Sequence, residues 1–251
     1  MIVYPFSFIK ESIPPSPTPT PTTTVTPTPT PSITPTPTAS PVYPAASITY
    51  NTTLTQNPVA ASTYNFTSPS SYGPGFIVLS IAGISNFQNT ITSVQIGGVN
   101  ATQLSIVTGG TNNTISAFYG AIITGTTNSY TVNFSSNRRN CSISIYTVNN
   151  LLSTTPVSTF TGVAGGFSIA GNLTSLTNNA VIIAAATIDT TPTTISWTCS
   201  PGSITENYDF SYSSYGISGA SRQAPNGSLL ITSTFSAAPN NAAVGTWIAL
   251  R

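Results

Sequence analysis

The chain has 251 residues, of which only 4% are charged; five basic and four acidic side chains leave a formal charge of +1, and there is no histidine. Without histidine the Ser–His and Cys–His arrangements that activate nucleophiles cannot be built, and two cysteines with no CxxC spacing are too few for a zinc site. Nucleic-acid binding needs clustered Lys or Arg to neutralise phosphates, and the only adjacent basic pair is Arg138-Arg139.

The first segment, Met1–Lys10 (MIVYPFSFIK), does not read as a secretory signal. Pro5 interrupts its apolar residues, no basic residue precedes them, and prolines follow where a small-residue cleavage site would stand. Its aromatics alternate, so Tyr4, Phe6 and Phe8 share one side of an extended strand, with Ile9 beside them. Such a strand predicts an N-terminal anchoring peptide over residues 1–12 that docks on another protein, main-chain bonds giving affinity and ring pockets giving specificity. Residues 13–45 form a Pro/Thr-rich linker. Proline fixes φ and removes amide donors, so polyproline II is the conformer open to it. About 30 residues at ~3.1 Å each reach roughly 90 Å, a semi-rigid spacer. No apolar run approaches the ~18 residues that would span a bilayer as a helix, so no membrane partner is expected.

From residue 46 onward, short strands recur at roughly ten-residue intervals with turn punctuation between them. They are Ser47–Leu54, Thr63–Thr67, Phe76–Ala82, Thr92–Ile96, Gln103–Val107, Ile115–Ile122, Tyr130–Phe134 and Ser142–Val148, then Phe167–Ala170, Val181–Thr187, Thr194–Thr198, Ile204–Phe210, Leu229–Phe235 and Val244–Leu250. Turn residues such as Gly97-Gly98, Gly109-Gly110, Pro201-Gly202 and Asn226-Gly227 separate them. The longest apolar run, Ala180–Ala186, predicts a strand buried on both faces. The fold class is all-β, an antiparallel β-sandwich of Ig-like or jelly-roll type over residues 46–251. Ser47–Asn150 and Thr161–Arg251 have similar lengths but share no residue-level repeat, which favours one sandwich.

Few side chains in this region carry chemistry. Cys141 and Cys199 permit one disulfide, with two isolated buried thiols the simpler reading. The acids are Asp189, Glu206 and Asp209; Glu206 and Asp209, three apart in a strand, are expected on opposite faces, which argues against a paired-carboxylate hydrolase. No enzyme, cofactor or metal is expected. The stretch YDFSYSSY places Tyr208, Phe210 and Tyr212 on one strand face, with Tyr215 following. Amphipathic rings beside Ser and Asn suit a sugar, so these four residues are the candidate glycan contacts, with core packing or a subunit interface as the competing role.

Two stretches carry a resemblance. Thr92–Leu104 (TSVQIGGVNATQL) is a strand, a Gly-Gly turn and a strand; Ser116–Phe134 (SAFYGAIITGTTNSYTVNF) and Arg139–Asn149 (RNCSISIYTVN) follow it, and Thr246–Leu250 (TWIAL) closes the chain in similar style. This succession resembles a β-sandwich module of tailed-bacteriophage structural proteins, over about 60 residues in its better part. The resemblance implies a non-enzymatic virion component, such as a capsid decoration protein or a head or tail fibre, displayed on the particle surface. It fits a chain whose N-terminus docks on a capsid, neck or tail protein and which packs as a homo-oligomer, a trimer among the options. The alternatives are a host-surface glycan-binding adhesion module and a secreted, O-glycosylated cell-surface stalk protein.

Overall fold

The computed structural model describes residues 12–19, 44–57, 60–85, 89–111, 113–190, 193–212 and 214–251. The anchor residues Tyr4, Phe6, Phe8 and Ile9 lie outside the described residues, as does most of the Pro/Thr linker. Residues 12–19 are exposed and without regular secondary structure. Val42–Arg251 is one unit made of strands, with no helix among the described residues.

Its first nine strands are β1 (Ser47–Gln56), β2 (Ala61–Tyr72), β3 (Gly75–Gly83), β4 (Ile91–Ile96), β5 (Val99–Asn100), β6 (Thr102–Gly109), β7 (Thr114–Ile123), β8 (Thr127–Arg138) and β9 (Cys141–Asn149). Eight more follow: β10 (Ser158–Ala164), β11 (Ser168–Leu176), β12 (Val181–Ile188), β13 (Ile195–Ser200), β14 (Thr205–Ser211), β15 (Gly216–Gln223), β16 (Gly227–Phe235) and β17 (Ala243–Leu250). Hydrophobic period decides where each one sits. In β2, Tyr64 and Phe66 are buried while Thr63, Asn65 and Thr67 are exposed, so this strand has one wet face. By contrast β3 (GFIVLSIAG) and β12 (VIIAAATI) are apolar or small on both faces, and both are buried almost throughout. A strand of that kind must be covered on each side.

Four antiparallel sheets satisfy these demands. A first inner sheet runs β1-β9-β3-β7-β6 and a first outer sheet β2-β8-β4-β5; a second inner sheet runs β10-β17-β12-β15-β14 and a second outer sheet β11-β16-β13. One core fills the first sandwich around Leu79, Val94, Tyr119 and Phe134. Another fills the second around Ile182, Trp197, Ile231 and Trp247. A third lies between the two inner sheets, where Phe76, Val78, Phe118, Tyr146 and Val148 meet Ile183, Tyr208, Tyr215, Ile248 and Leu250. The all-β antiparallel reading therefore holds, but the single sandwich expected over 46–251 is two sandwiches packed inner sheet to inner sheet.

The two are copies of one design. Strands β10–β13 and β14–β17 take the places of β1–β4 and β6–β9 in the same order, β5 alone lacking a counterpart. Even the irregularities repeat. The β6–β7 pairing skips a residue between Gln103 and Ser105, and the β14–β15 pairing skips one between Glu206 and Tyr208. Ladder partners fix the equivalence: Phe76 pairs Val148 and Ile122 as Val181 pairs Leu250 and Gln223. Matched positions hold different side chains, which is why no repeat is visible in the sequence. Phe118 opposite Ser105 corresponds to Gly219 opposite Tyr208. The large and small residues have changed strands, and the Tyr208 ring occupies the space over Gly219, where a Cβ would lie 2.4 Å from it.

The inner-sheet contact obeys an approximate two-fold rule, in which residue i meets j and the copy of j meets the copy of i. Ser105 hydrogen-bonds Thr246 at 2.6 Å, while their counterparts Tyr208 and Ser144 also bond each other. Tyr212 bonds Thr55 at 2.6 Å, and the matching Gly109 lies against Val163 and Val244. One half of this pair of contacts is polar and the other apolar.

Arg138 ties the loops at one end of the first sandwich. Fully buried, it donates to the Gly83 carbonyl at 3.0 Å, to the Asn113 carbonyl at 2.5 Å and to Asn89 Oδ1, and its guanidinium lies 5.0 Å from the centre of the Phe134 ring. Burial lowers its pKa to about 10. Replacing Arg138 by Met keeps much of the volume but strands three acceptors, and should cost about 2–4 kcal/mol in urea unfolding; an unchanged midpoint would remove Arg138 from this role. A chain cut after residue 150 bares the inner face of Phe76, Phe118 and Tyr146, so light scattering should find it self-associated, and a stable monomer would contradict the need for cover on that face.

Candidate functional site

The four aromatic residues singled out for sugar contact do come together. From Tyr50 the rings step to Tyr208 at 5.6 Å, Phe210 at 6.2 Å, Tyr212 at 6.2 Å and Tyr215 at 4.9 Å. This ladder is a seam between the inner sheets. Tyr208 and Tyr215 are buried, with hydroxyls bonded to Ser80 at 3.2 Å and to Ser142 at 2.7 Å. They are not available to a glycan, and the competing reading of core packing applies to them. Only Phe210 keeps 41% of its surface exposed. The shared face of Tyr208, Phe210 and Tyr212 was legible in the alternation; that another sandwich covers it was not.

The acids differ from expectation too. The extra residue at Asn207 shifts the phase of β14, so Glu206 opposite Ala220 and Asp209 opposite Ser218 share one face. Desolvation raises the Glu206 pKa, helped by the Asp209 carboxylate; desolvation also raises that of Asp209, opposed by its hydrogen bond from the Ile195 amide at 3.2 Å. Asp189 is buried at the end of β12, where Oδ1 accepts from the backbone amides of Asn241 at 3.1 Å and Ala242 at 3.2 Å. Arg222 donates to Cys199 Sγ and the Pro201 carbonyl, each at 2.9 Å. Both cysteines are free thiols, Cys141 fully buried and Cys199 partly so. Among the described residues no group of three His, Cys, Asp or Glu side chains could hold a metal ion.

The better-formed site is a cleft that sequence reasoning missed. It has a volume of about 330 Å³ and opens where β5 passes into β6. Phe76 contributes an apolar surface, its ring lying across Gly120, where any Cβ would come within 2.3 Å of it. The bulge turns Leu104 toward the inner-sheet core and the cleft, and Val99 and Ile122 line the cleft while remaining 45% and 61% exposed. Gln103 adds an amide, its Oε1 occupied by the Tyr119 hydroxyl at 2.9 Å, which leaves the NH₂ as the group to donate. Thr154, Thr155 and Pro156 of the segment joining the sandwiches complete the lining. That segment is pinned to the last strand: the Leu152 and Ser153 amides donate to the Arg251 carbonyl at 2.9 and 2.8 Å, and the Val157 amide to that of Ala249 at 2.9 Å.

No protein family, curated protein or solved structure matches the chain.

The seam makes stability depend on alkaline pH. Burial pushes the phenol of Tyr208 up to about 12 and those of Tyr146 and Tyr215 also upward, and that of Tyr64, in the core of the first sandwich, rises to about 12 with them. Above pH 10 the unfolded chain therefore loses phenolic protons that the native state keeps, so stability falls as pH rises through that window. Burial also pushes the Cys141 thiol up to about 12. The urea midpoint should therefore begin to decline near pH 9, where the unfolded chain ionises that thiol, and drop more steeply above pH 10 as the phenols join it. Tyr208→Phe should flatten the drop by one group's share, and a wild-type slope in that variant would show Tyr208 to be ordinary.

Proposed function

We propose that this chain is a non-enzymatic structural protein displayed on a tailed-phage particle. In this reading residues 1–12 anchor it to a capsid, neck or tail protein, residues 13–45 space it, and the paired sandwiches face outward. The supporting observation is where the ionisable side chains of the folded part are committed. Arg138, Asp189, Asp209 and Arg222 each hold backbone groups in place, so the charges serve the scaffold. What the outer sheets offer instead is hydroxyl and amide groups, such as Thr63 bonded to Asn133 at 2.8 Å and Asn133 to Ser93 at 2.9 Å. A neutral surface of this kind suits packing beside neighbouring subunits, including further copies of the chain.

Two further features support display. The strand pairing of each sandwich, first with last, second with next to last and, with β5 set aside, third with sixth, is the wrapped hairpin of a jelly roll, an architecture used by capsid and lectin modules. Fold alone does not fix function. The chain also begins and finishes its folded part at one end, since the Ala46 amide bonds the Asn179 carbonyl and Val181 pairs with Leu250.

Deleting residues 1–12 tests the reading. The truncated chain should melt at the same temperature as the full chain and fall to background in purified particles, measured by quantitative mass spectrometry. Incorporation at full stoichiometry would refute the anchor.

A further inference from the structure

The cleft at the β5–β6 passage has the attributes of a ligand site, and we infer that it binds a neutral saccharide. This inference stands independently of the tether and of any particle that carries the chain.

Whatever a sandwich of this design needs in order to fold should be present in both copies, so a feature found in one copy needs another cause. At the cleft the two diverge. Gln103, Leu104, Ala121 and Ile122 of the first sandwich correspond to Glu206, Asn207, Arg222 and Gln223 of the second. The second copy has charged and amide groups where the first has an amide and three apolar side chains. Ile122 is the informative position. It is 61% exposed, and its counterpart Gln223 holds the same place in the ladder without an apolar side chain. Folding of this design does not require an isoleucine there. With Val99, 45% exposed, Ile122 gives the preformed cleft an apolar rim, and an exposed apolar patch of this kind marks a ligand-binding groove.

The chemistry of the lining narrows the ligand class. No charged side chain lines the cleft, so nothing in it compensates the desolvation of an ionic ligand. Phe76, Leu104 and Ile122 supply apolar surface, and the Gln103 NH₂ and the hydroxyls of Thr102 and Thr155 supply hydrogen bonds. A pyranose ring matches this pairing, because its axial C–H groups make one face apolar while its equatorial hydroxyls bond at the edge. At about 330 Å³ the cleft lies at the small end of the roughly 300–1,000 Å³ range of ligand sites, which suits one or two sugar rings. Its walls are held by backbone bonds to the last strand, so little ordering opposes binding. The tyrosine ladder, the first place to look for sugar contact, is closed by the first sandwich.

The test uses the full chain and methyl glycosides of neutral hexoses and N-acetylhexosamines, with sialic acid as the charged comparison, observed by saturation-transfer NMR and titration calorimetry. At least one neutral glycoside should bind at millimolar concentration or below, with saturation transferred to its C–H face. Ile122→Gln installs the residue of the other copy and Gln103→Ala removes the donor. Each should weaken binding at least tenfold; Ile122→Gln should leave the melting temperature unchanged, and Gln103→Ala, which also strands the Tyr119 hydroxyl, should lower it slightly with the chain still folded. Absence of binding by every neutral glycoside, preference for sialic acid, or wild-type affinity in both variants would overturn the assignment. Tyr212→Ala is the control at the seam, and loss of binding there with both cleft variants unaffected would equally overturn it.

Discussion

Strands that are apolar on both faces dominate this protein. β3, β9, β12 and β17 lie in the interiors of the inner sheets and present residues such as Val78, Tyr146, Ile183 and Ile248 away from their own sandwich cores. A sandwich built on them alone would leave a large apolar face in water, which the hydrophobic effect penalises in proportion to area. A second copy, turned by an approximate half rotation, covers that face with its equivalent. The four-layer arrangement follows from this need, and the joining segment only has to bring the second copy within reach.

Inside the seam, shape matters more than residue identity. The exchange of Ser105 and Phe118 for Tyr208 and Gly219 keeps one large and one small residue in each ladder pair, as close packing demands. Polar groups are admitted as hydroxyls, which hydrogen-bond without carrying charge into a low-dielectric layer. Thr53 with Ser144 at 2.7 Å and Thr55 with Ser142 at 2.9 Å are examples along β1. Trp247 shows the limit of this economy, since its indole N–H is buried without a partner among the described residues while its ring packs on Phe160 and Trp197. The sheet ends use stronger groups. In the first copy the Asn140 side chain accepts from the Ile84 amide at 2.8 Å. In the second, Asp189, which follows β12 as Ile84 follows β3, accepts from the amide of Ala242, the counterpart of Asn140. The corner is closed by the same contact with donor and acceptor exchanged.

Much of the strand content was legible because period two and turn residues are local signals. Fourteen strands read from alternation correspond to fourteen of those observed; β5, β10 and β15 escaped. β5 is two residues long, and β10 (STFTGVA) and β15 (GISGASRQ) carry glycines that look like turn punctuation. Their glycines answer to distant side chains instead. Gly162 of β10 lies against Ile169 of β11, and Gly219 of β15 lies under the Tyr208 ring of β14, relations that alternation within one strand does not show. The bulge at Asn207 is equally invisible in sequence, and it alone moved Glu206 and Asp209 to one face. The number of sandwiches was misread for a related reason, since equal shape was kept while identities changed. The cleft depends on a bulge, a Phe–Gly contact and a joining segment brought together by tertiary structure, so it left no pattern to find.

A duplicated chain also separates what a fold requires from what it has acquired. Features present in both copies, such as the bulge ahead of Ser105 and Tyr208, the doubly buried central strands and the braced corner, are accounted for by packing and backbone satisfaction. Features in one copy need a cause of their own, either packing within that copy or a role outside it. The first copy has β5, the neutral cleft and exposed Ile122, whereas the second has Glu206, Arg222 and the tryptophan pair that fills its core. Arg222 and the tryptophans have structural partners within their own sandwich. Ile122 and Val99 remain half solvated beside a preformed opening. Ile122 and Val99 are thus set apart by two things together, the absence of an apolar residue at the Ile122 position in the other copy and their place at the rim of the cleft.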